Sequence, residues 1–223
     1  MDKKEKNKNN IGLPNKVAWI AAEILFRIYF FFKGVRFDNT NVKQITKQCV
    51  FISPHFMDFD PMLLSCLLFP RRTTFIVSYH LYHIKGLDKL IPLAHCICKK
   101  QFANDPGATR KILRAYKEGN NIGIFPEGRE GPYGKNVNVA DGTATLFRKM
   151  GLDIFRVYIE GAYKSKPKWA LYKRKWHIRV SMEKVADGEA VKAMSEAEVQ
   201  SLIEKAIAHD GEKDCPNHQY KSK

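Results

Sequence analysis

A chain of 223 residues and 25.7 kDa, 44% hydrophobic and 12% aromatic, can bury its own core, which excludes a disordered tail protein; a mean hydropathy of -0.37 excludes a polytopic membrane protein. Its 38 Lys and Arg against 23 Asp and Glu leave a net charge of +15 and a pI near 9.6, so an anionic partner is expected: nucleic acid, an anionic membrane, a phosphorylated small molecule or an acidic carrier protein. The 5 cysteines, Cys49, Cys66, Cys96, Cys98 and Cys215, are odd in number and scattered, which excludes the paired framework of a small secreted fold and points to a reducing cytosolic compartment.

Residues 1–10, MDKKEKNKNN, have only Met1 as an apolar side chain and read as a disordered basic leader, with no signal-peptide cleavage pattern after it. Residues 11–44 read as an N-terminal membrane-associating helical segment, built on a helix from Val17 to Phe32. That run is shorter than the ~20 residues needed to span a bilayer, and it carries Glu23 and Arg27, spaced to pair on one helical face. Trp19, Phe26, Tyr29, Phe30, Phe31 and Phe32 suit a headgroup boundary, and Lys16, Lys33 and Arg36 flank them where anionic lipid is within reach. The expectation is an interfacial helix or helical hairpin, with a core helix bearing a greasy edge as the alternative.

Residues 45–208 alternate short apolar runs with helical patterns, as an α/β sheet does. Strands are expected at Cys49 to Ser53, Phe75 to Tyr79, His95 to Cys98, Asn121 to Phe125, Ile154 to Ile159 and His177 to Met182. Helices are expected at Met62 to Phe69, Pro106 to Lys117, Asp141 to Met150 and, behind a Ser195-x-x-Glu198 capping box, Glu196 to Ala208. The fold class is α/β, a mixed sheet flanked by helices. Cys96 and Cys98 beside His95 lack a second ligand pair at metal-site spacing and read as packing residues. From Lys164 to Arg179 the chain is basic and interleaved with Trp169, Tyr172 and Trp176, a composition that suits single-stranded nucleic acid or anionic headgroups. Residues 209–223 read as a flexible tail, His218 and Cys215 included.

Chemistry concentrates in two places. Ser53-Pro54-His55-Phe56-Met57-Asp58-Phe59-Asp60-Pro61 falls between a strand and a helix, the junction where α/β folds place ligands. Asp60 before Pro61 reads as an N-cap with proline at the first helical position, which leaves His55 in the preceding loop. On a continuous helix the two residues would point about 140° apart; in a loop His55 can fold back so that a carboxylate fixes its tautomer and leaves the other nitrogen as a base. Asp60 and Asp58 are both candidate partners. Later, Asn121-Ile122-Gly123-Ile124-Phe125-Pro126-Glu127-Gly128-Arg129 is an apolar strand ending in a turn, where a flexible glycine and a guanidinium can approach a phosphate.

His55-x4-Asp60 followed by Phe125-Pro126-Glu127-Gly128 resembles the glycerolipid acyltransferase family, specifically the 1-acyl-glycerol-3-phosphate (lysophosphatidate) acyltransferases, over roughly residues 45 to 165. Ala94 to Lys100 sits where that family has a strand block ending in arginine, and Ile154 to Ile159 where it has an apolar strand. The resemblance implies His55 as general base and Asp60 as its orienting partner. It implies acceptor binding by Glu127, Gly128 and Arg129, with Lys100 at the position of the basic residue ending the strand block. The chain departs from the pattern at Pro54 and Met57, where the family commonly has asparagine and serine, and in carrying Arg129 directly after Glu-Gly.

The implied reaction is transfer of a fatty acyl group from a thioester, acyl coenzyme A or acyl carrier protein, to a lysophospholipid hydroxyl. It takes no metal and no cofactor besides the donor. An anionic membrane surface is the expected partner and its cytoplasmic face the expected location. No Gly-x-Ser-x-Gly elbow, phosphate loop or dinucleotide fingerprint occurs, which favours direct transfer without an acyl-enzyme. The competing readings are an inactive lipid-binding relative and a basic nucleic-acid-binding protein.

Overall fold

The structure, a computed structural model, describes residues 16–83, 91, 94, 96–100, 105–129, 138–165 and 175–209. In chain order the elements are α1 (Lys16–Lys33), β1 (Val35–Phe37), a 3-10 turn (Thr40–Gln44), β2 (Cys49–Ile52), α2 (Asp60–Leu68), β3 (Thr73–Ser78), β4 (Ile97–Lys99), α3 (Pro106–Lys117), β5 (Asn121–Ile124), α4 (Thr143–Met150), β6 (Asp153–Glu160), α5 (Ala162–Ser165), β7 (Ile178–Ala186), α6 (Gly188–Ala193) and α7 (Glu196–Ile207). A second 3-10 turn, Tyr79–His83, follows β3.

The strands form one 7-stranded sheet in the order β1-β7-β6-β2-β5-β3-β4. Every neighbouring pair is parallel except β6 and β7, so the sheet is mixed, as expected. β2 reads CVFI and all four side chains are buried, because helices cover both faces of a central strand. Cys49 and Phe51 join Phe155, Val157, Ile178 and Val180 under α1 and α2. Val50 and Ile52 join Ile122, Ile124 and Ile154 under the apolar stripes of α3, α4 and α7, among them Ile112, Phe147 and Ile203. Gly123 on β5 lies so close to Phe75 that a Cβ there would sit 2.4 Å from its ring, which ties the β3–β5 approach to that glycine.

Helix ends follow their local chemistry. Asp105 accepts the Ala108 N–H ahead of Pro106, and the Ser195–Glu198 capping box forms in full. α4 begins at Thr143 rather than at Asp141, because Gly142 takes a left-handed φ of 76° and stops the helix there. Four elements differ more. β1 comes from within the segment 11–44, α5 and α6 are short helices with no periodic signature, and β7 runs on to Ala186, past the expected Met182. His95, most of the basic stretch (166–174), the leader 1–10 and the tail beyond His209 lie outside the described residues.

α1 is one helix followed directly by a strand. Trp19, Glu23 and Phe30 face the protein, whereas Val17, Leu25, Phe31 and Phe32 are 67% to 82% exposed. The expected Glu23–Arg27 pair does not form. Arg27 donates through Nε and Nη2 to the Cys66 carbonyl at 3.1 and 2.7 Å. That carbonyl has no helical partner because residue 70 is proline, without an N–H, so the guanidinium caps the last turn of α2. Glu23 instead accepts a hydrogen bond from Ser65. Among the described residues, no helix is long and apolar enough to cross a membrane.

Candidate active site

β2 and β5 are parallel neighbours with Ile52 opposite Ile124, so both chains leave the sheet at the same end, side by side. The His55 loop follows β2 and the Glu127 turn follows β5. Two motifs distant in sequence therefore meet at the carboxyl edge of the strands, where an open α/β sheet forms its ligand crevice.

His55 Nδ1 lies 2.9 Å from Asp60 Oδ2. The same oxygen accepts the backbone N–H groups of Phe56 at 2.6 Å and Met57 at 2.9 Å, and Asp60 is fully buried. A carboxylate can only accept, so Nδ1 carries the proton and Nε2 is left as the acceptor. The alternative partner, Asp58, is exposed. Helix α2 begins at Asp60 itself with Pro61 in its first turn, so the expected N-cap role is corrected: the cap residue is Phe59, without a side-chain hydrogen bond. The Asp60 carboxylate is drawn back to the loop, where two amides and the imidazole converge on it.

The second motif holds the first in place. Glu127, 4% exposed, accepts the His55 backbone N–H on Oε2 at 3.1 Å. The Phe125 ring stacks under the imidazole with centroids 4.5 Å apart. Gly128 turns the chain at a φ of 66°, and its N–H donates to the Phe125 carbonyl. This left-handed turn leaves Arg129 exposed at the rim. The His55 side chain keeps 19% of its surface accessible, so a substrate can reach it while its backbone stays anchored.

Lys100 follows β4 at the same edge of the sheet, but β3 lies between β4 and β5, which puts it about 10 Å from the Glu127 turn by strand spacing. Its N–H donates to Asp105 and its side chain is exposed. The structure thus brings His55, Asp60, Glu127 and Gly128 together, sets Arg129 beside them, and leaves Lys100 within reach only of a bridging ligand. Pro54 and Met57 are buried, Met57 in the core beneath α1 and α2. Sequence reading missed His209, whose ring packs edge-on against Phe56 with centroids 4.5 Å apart, and Arg156, which donates to the Ala208 carbonyl. Nothing local marked either residue, since both contacts join chain ends far apart in sequence.

Cys96 and Cys98 are half-buried, and burial pushes both thiols up to about 12. Among the described residues no three His, Cys, Asp or Glu side chains converge as metal ligands would.

A family model described as Acyltransferase matches residues 34–160. Among solved structures, the fold is similar to that of the 1-acyl-sn-glycerophosphate (LPA) acyltransferase PlsC from Thermotoga maritima. The TM-score is 0.68 at 20% identity, over 85% of this chain and 76% of that one.

Proposed function

The chain belongs to the acyltransferase family, and from that premise we propose that it transfers a fatty acyl group from a thioester donor to the hydroxyl of a lysophospholipid, 1-acyl-glycerol-3-phosphate giving phosphatidate. The observation that supports this reading best is the His55–Asp60 contact, anchored through the His55 amide to Glu127. It supplies an oriented base on a fixed backbone, which a hydroxyl nucleophile requires.

A hydroxyl is a poor nucleophile at neutral pH. His55 Nε2 takes its proton as the oxygen attacks the thioester carbonyl, and Asp60 stabilises the imidazolium that forms. As the tetrahedral intermediate collapses, the new ester C–O bond is kept, the C–S bond breaks and the thiolate leaves with the proton from His55. Arg129 and Lys100 supply cations for the acceptor phosphate, Lys100 as a point charge rather than a fork, and Glu127 suits an acceptor hydroxyl. The donor is acyl coenzyme A or acyl carrier protein, both anionic and suited to a +15 chain. The exposed apolar face of α1 gives a lipid substrate a place to enter, so the protein is read as peripheral or monotopic on the cytoplasmic face of a membrane.

The test is thiol release from a long-chain acyl coenzyme A, then from acyl carrier protein, with lysophosphatidate in vesicles. The parent yields phosphatidate, and His55→Ala, with an unchanged melting temperature, yields none. Full transfer by His55→Ala sinks the assigned base, and no transfer from either donor to any lysophospholipid sinks the reaction.

A further inference from the structure

Contacts that play no part in the reaction above fasten the end of α7 to the His55 loop. β6 runs beside β2 with Arg156 opposite Ile52, the last residue of that strand, so Arg156 stands at the edge from which the His55 loop leaves. Its guanidinium lies over the Tyr158 ring, 4.0 Å from the centroid, and the Tyr158 hydroxyl donates to Glu183 on β7. From there Arg156 Nη2 donates to the Ala208 carbonyl at 3.2 Å. Ala208 is the C-cap of α7, where the closing carbonyls of a helix lack internal partners, so the guanidinium pins the end of that helix to this edge of the sheet.

The next residue reaches the loop itself. His209 is half-buried, and its Nδ1 lies 3.1 Å from the Ile207 carbonyl; a carbonyl only accepts, so Nδ1 carries the proton. The ring so held meets the buried Phe56 edge to face, at 74° with centroids 4.5 Å apart. Phe56 stands next to the proposed base, and its amide makes the closest of the three contacts to Asp60 Oδ2, at 2.6 Å against 2.9 Å for the other two. Glu127 holds this loop by the His55 amide, and the end of α7 holds it by the Phe56 side chain. We infer that His209 is a positioning residue, with Arg156 behind it: the ring contact fixes Phe56 and so keeps Asp60 and His55 in line for proton transfer. It acts through Phe56 rather than through the substrate. The effect on rate rests on the acyl-transfer reading above; the effect on the loop does not.

Two readouts on the full chain test it: steady-state transfer from a long-chain acyl coenzyme A to lysophosphatidate in vesicles, and hydrogen exchange of the Phe56 and Met57 amides. His209→Ala lowers kcat by about 10–100-fold, the cost of displacing a reacting group by up to about 1 Å, with the KM for the acceptor unchanged. The same variant speeds exchange of the two amides several-fold, while the amides of α3 and the melting temperature stay as in the parent. His209→Phe keeps an aromatic ring against Phe56 and returns both readouts to near the parent's. Arg156→Met, which releases the Ala208 carbonyl, moves both in the same direction as His209→Ala but less far. Unchanged kcat and unchanged exchange in His209→Ala overturn the inference, as does a rise in KM alone, which would set His209 against the acceptor. Equal losses in His209→Ala and His209→Phe overturn it as well, because the protons of the imidazole rather than its ring would then matter. Exchange that quickens across α3 too would mean a general loosening and overturn the positioning role. If the parent transfers no acyl group while His209→Ala still speeds the two amides alone, the reaction reading fails and the brace stands.

Discussion

At the scale of single residues, Asp60 does two jobs with one oxygen. Oδ2 orients His55 and also gathers the Phe56 and Met57 amides, so the base and the backbone that carries it share an anchor. Asp60→Asn keeps an oxygen for the two amides but loses the charge and turns one hydrogen-bond choice against Nδ1. Under the proposed mechanism, kcat falls by about 10²–10⁴ while the melting temperature changes little. Asp60→Ala strands the two buried amides as well, at about 1–3 kcal/mol each, so it lowers both quantities. Steady-state rates and thermal melts on the two variants separate orientation from support. The sequence marked the His55 loop and offered Asp60 and Asp58 as partners, because both are local; the fold chose Asp60. The Phe125 ring under His55 was not legible there, because stacking depends on which strands are neighbours.

At the scale of elements, α1 joins two chemistries. Its inner face places Glu23 in the α2 interface, where burial pushes the carboxyl up despite the Ser65 hydrogen bond. A carboxyl with a raised folded-state value favours the protonated form. Docking of α1 is therefore strongest at or below the ordinary carboxylate range, and weakens as pH rises through that raised value. Glu23→Gln removes the ionisation and retains an oxygen for Ser65. The expected result is a rise in melting temperature at neutral pH of about 2–4 °C, the shift of about 1 kcal/mol at this size, with a flatter dependence on pH. An unchanged pH dependence would assign the slope to other groups. The outer face was readable as apolar from composition alone, but the spacing of Glu23 and Arg27 suggested a partnership that packing replaced. The carbonyl of Cys66, freed by Pro70, claims Arg27.

At the scale of the whole molecule, Asp153 ties the sheet together at the edge opposite the site. Burial would raise its carboxyl, but Lys184, the Gly188 amide and Lys47 outweigh burial and hold it at about 2. The contacts to Lys47 and Lys184 are both 2.9 Å, joining the chain before β2 to the start of β6 and to β7, while the amide comes from the first turn of α6. A depressed folded-state value contributes stability above the ordinary carboxylate range, and that contribution is lost as pH falls from about 4 toward 2. Asp153→Asn is expected to cost ~1–2 kcal/mol at neutral pH, the solvent around the partly exposed lysines screening the rest, and to soften the acid limb of the unfolding curve. Denaturant titrations at neutral and acid pH measure both; equal costs at the two would assign the loss to packing rather than charge.

By itself the sequence determined the features that arise within a few residues: the helix cap at Ser195, the positions of the central strands, the apolar outer face of α1, and two loops rich in chemistry. These follow from backbone and side-chain preferences that act locally. Only the tertiary structure decided that β2 and β5 are parallel neighbours, that Glu127 therefore holds the His55 backbone, and that VRF after α1 joins β7 as an edge strand. It also set Arg36 against Arg179. Strand order and register are selected by burying both faces of a shared sheet at once, a condition no short stretch of chain can express on its own.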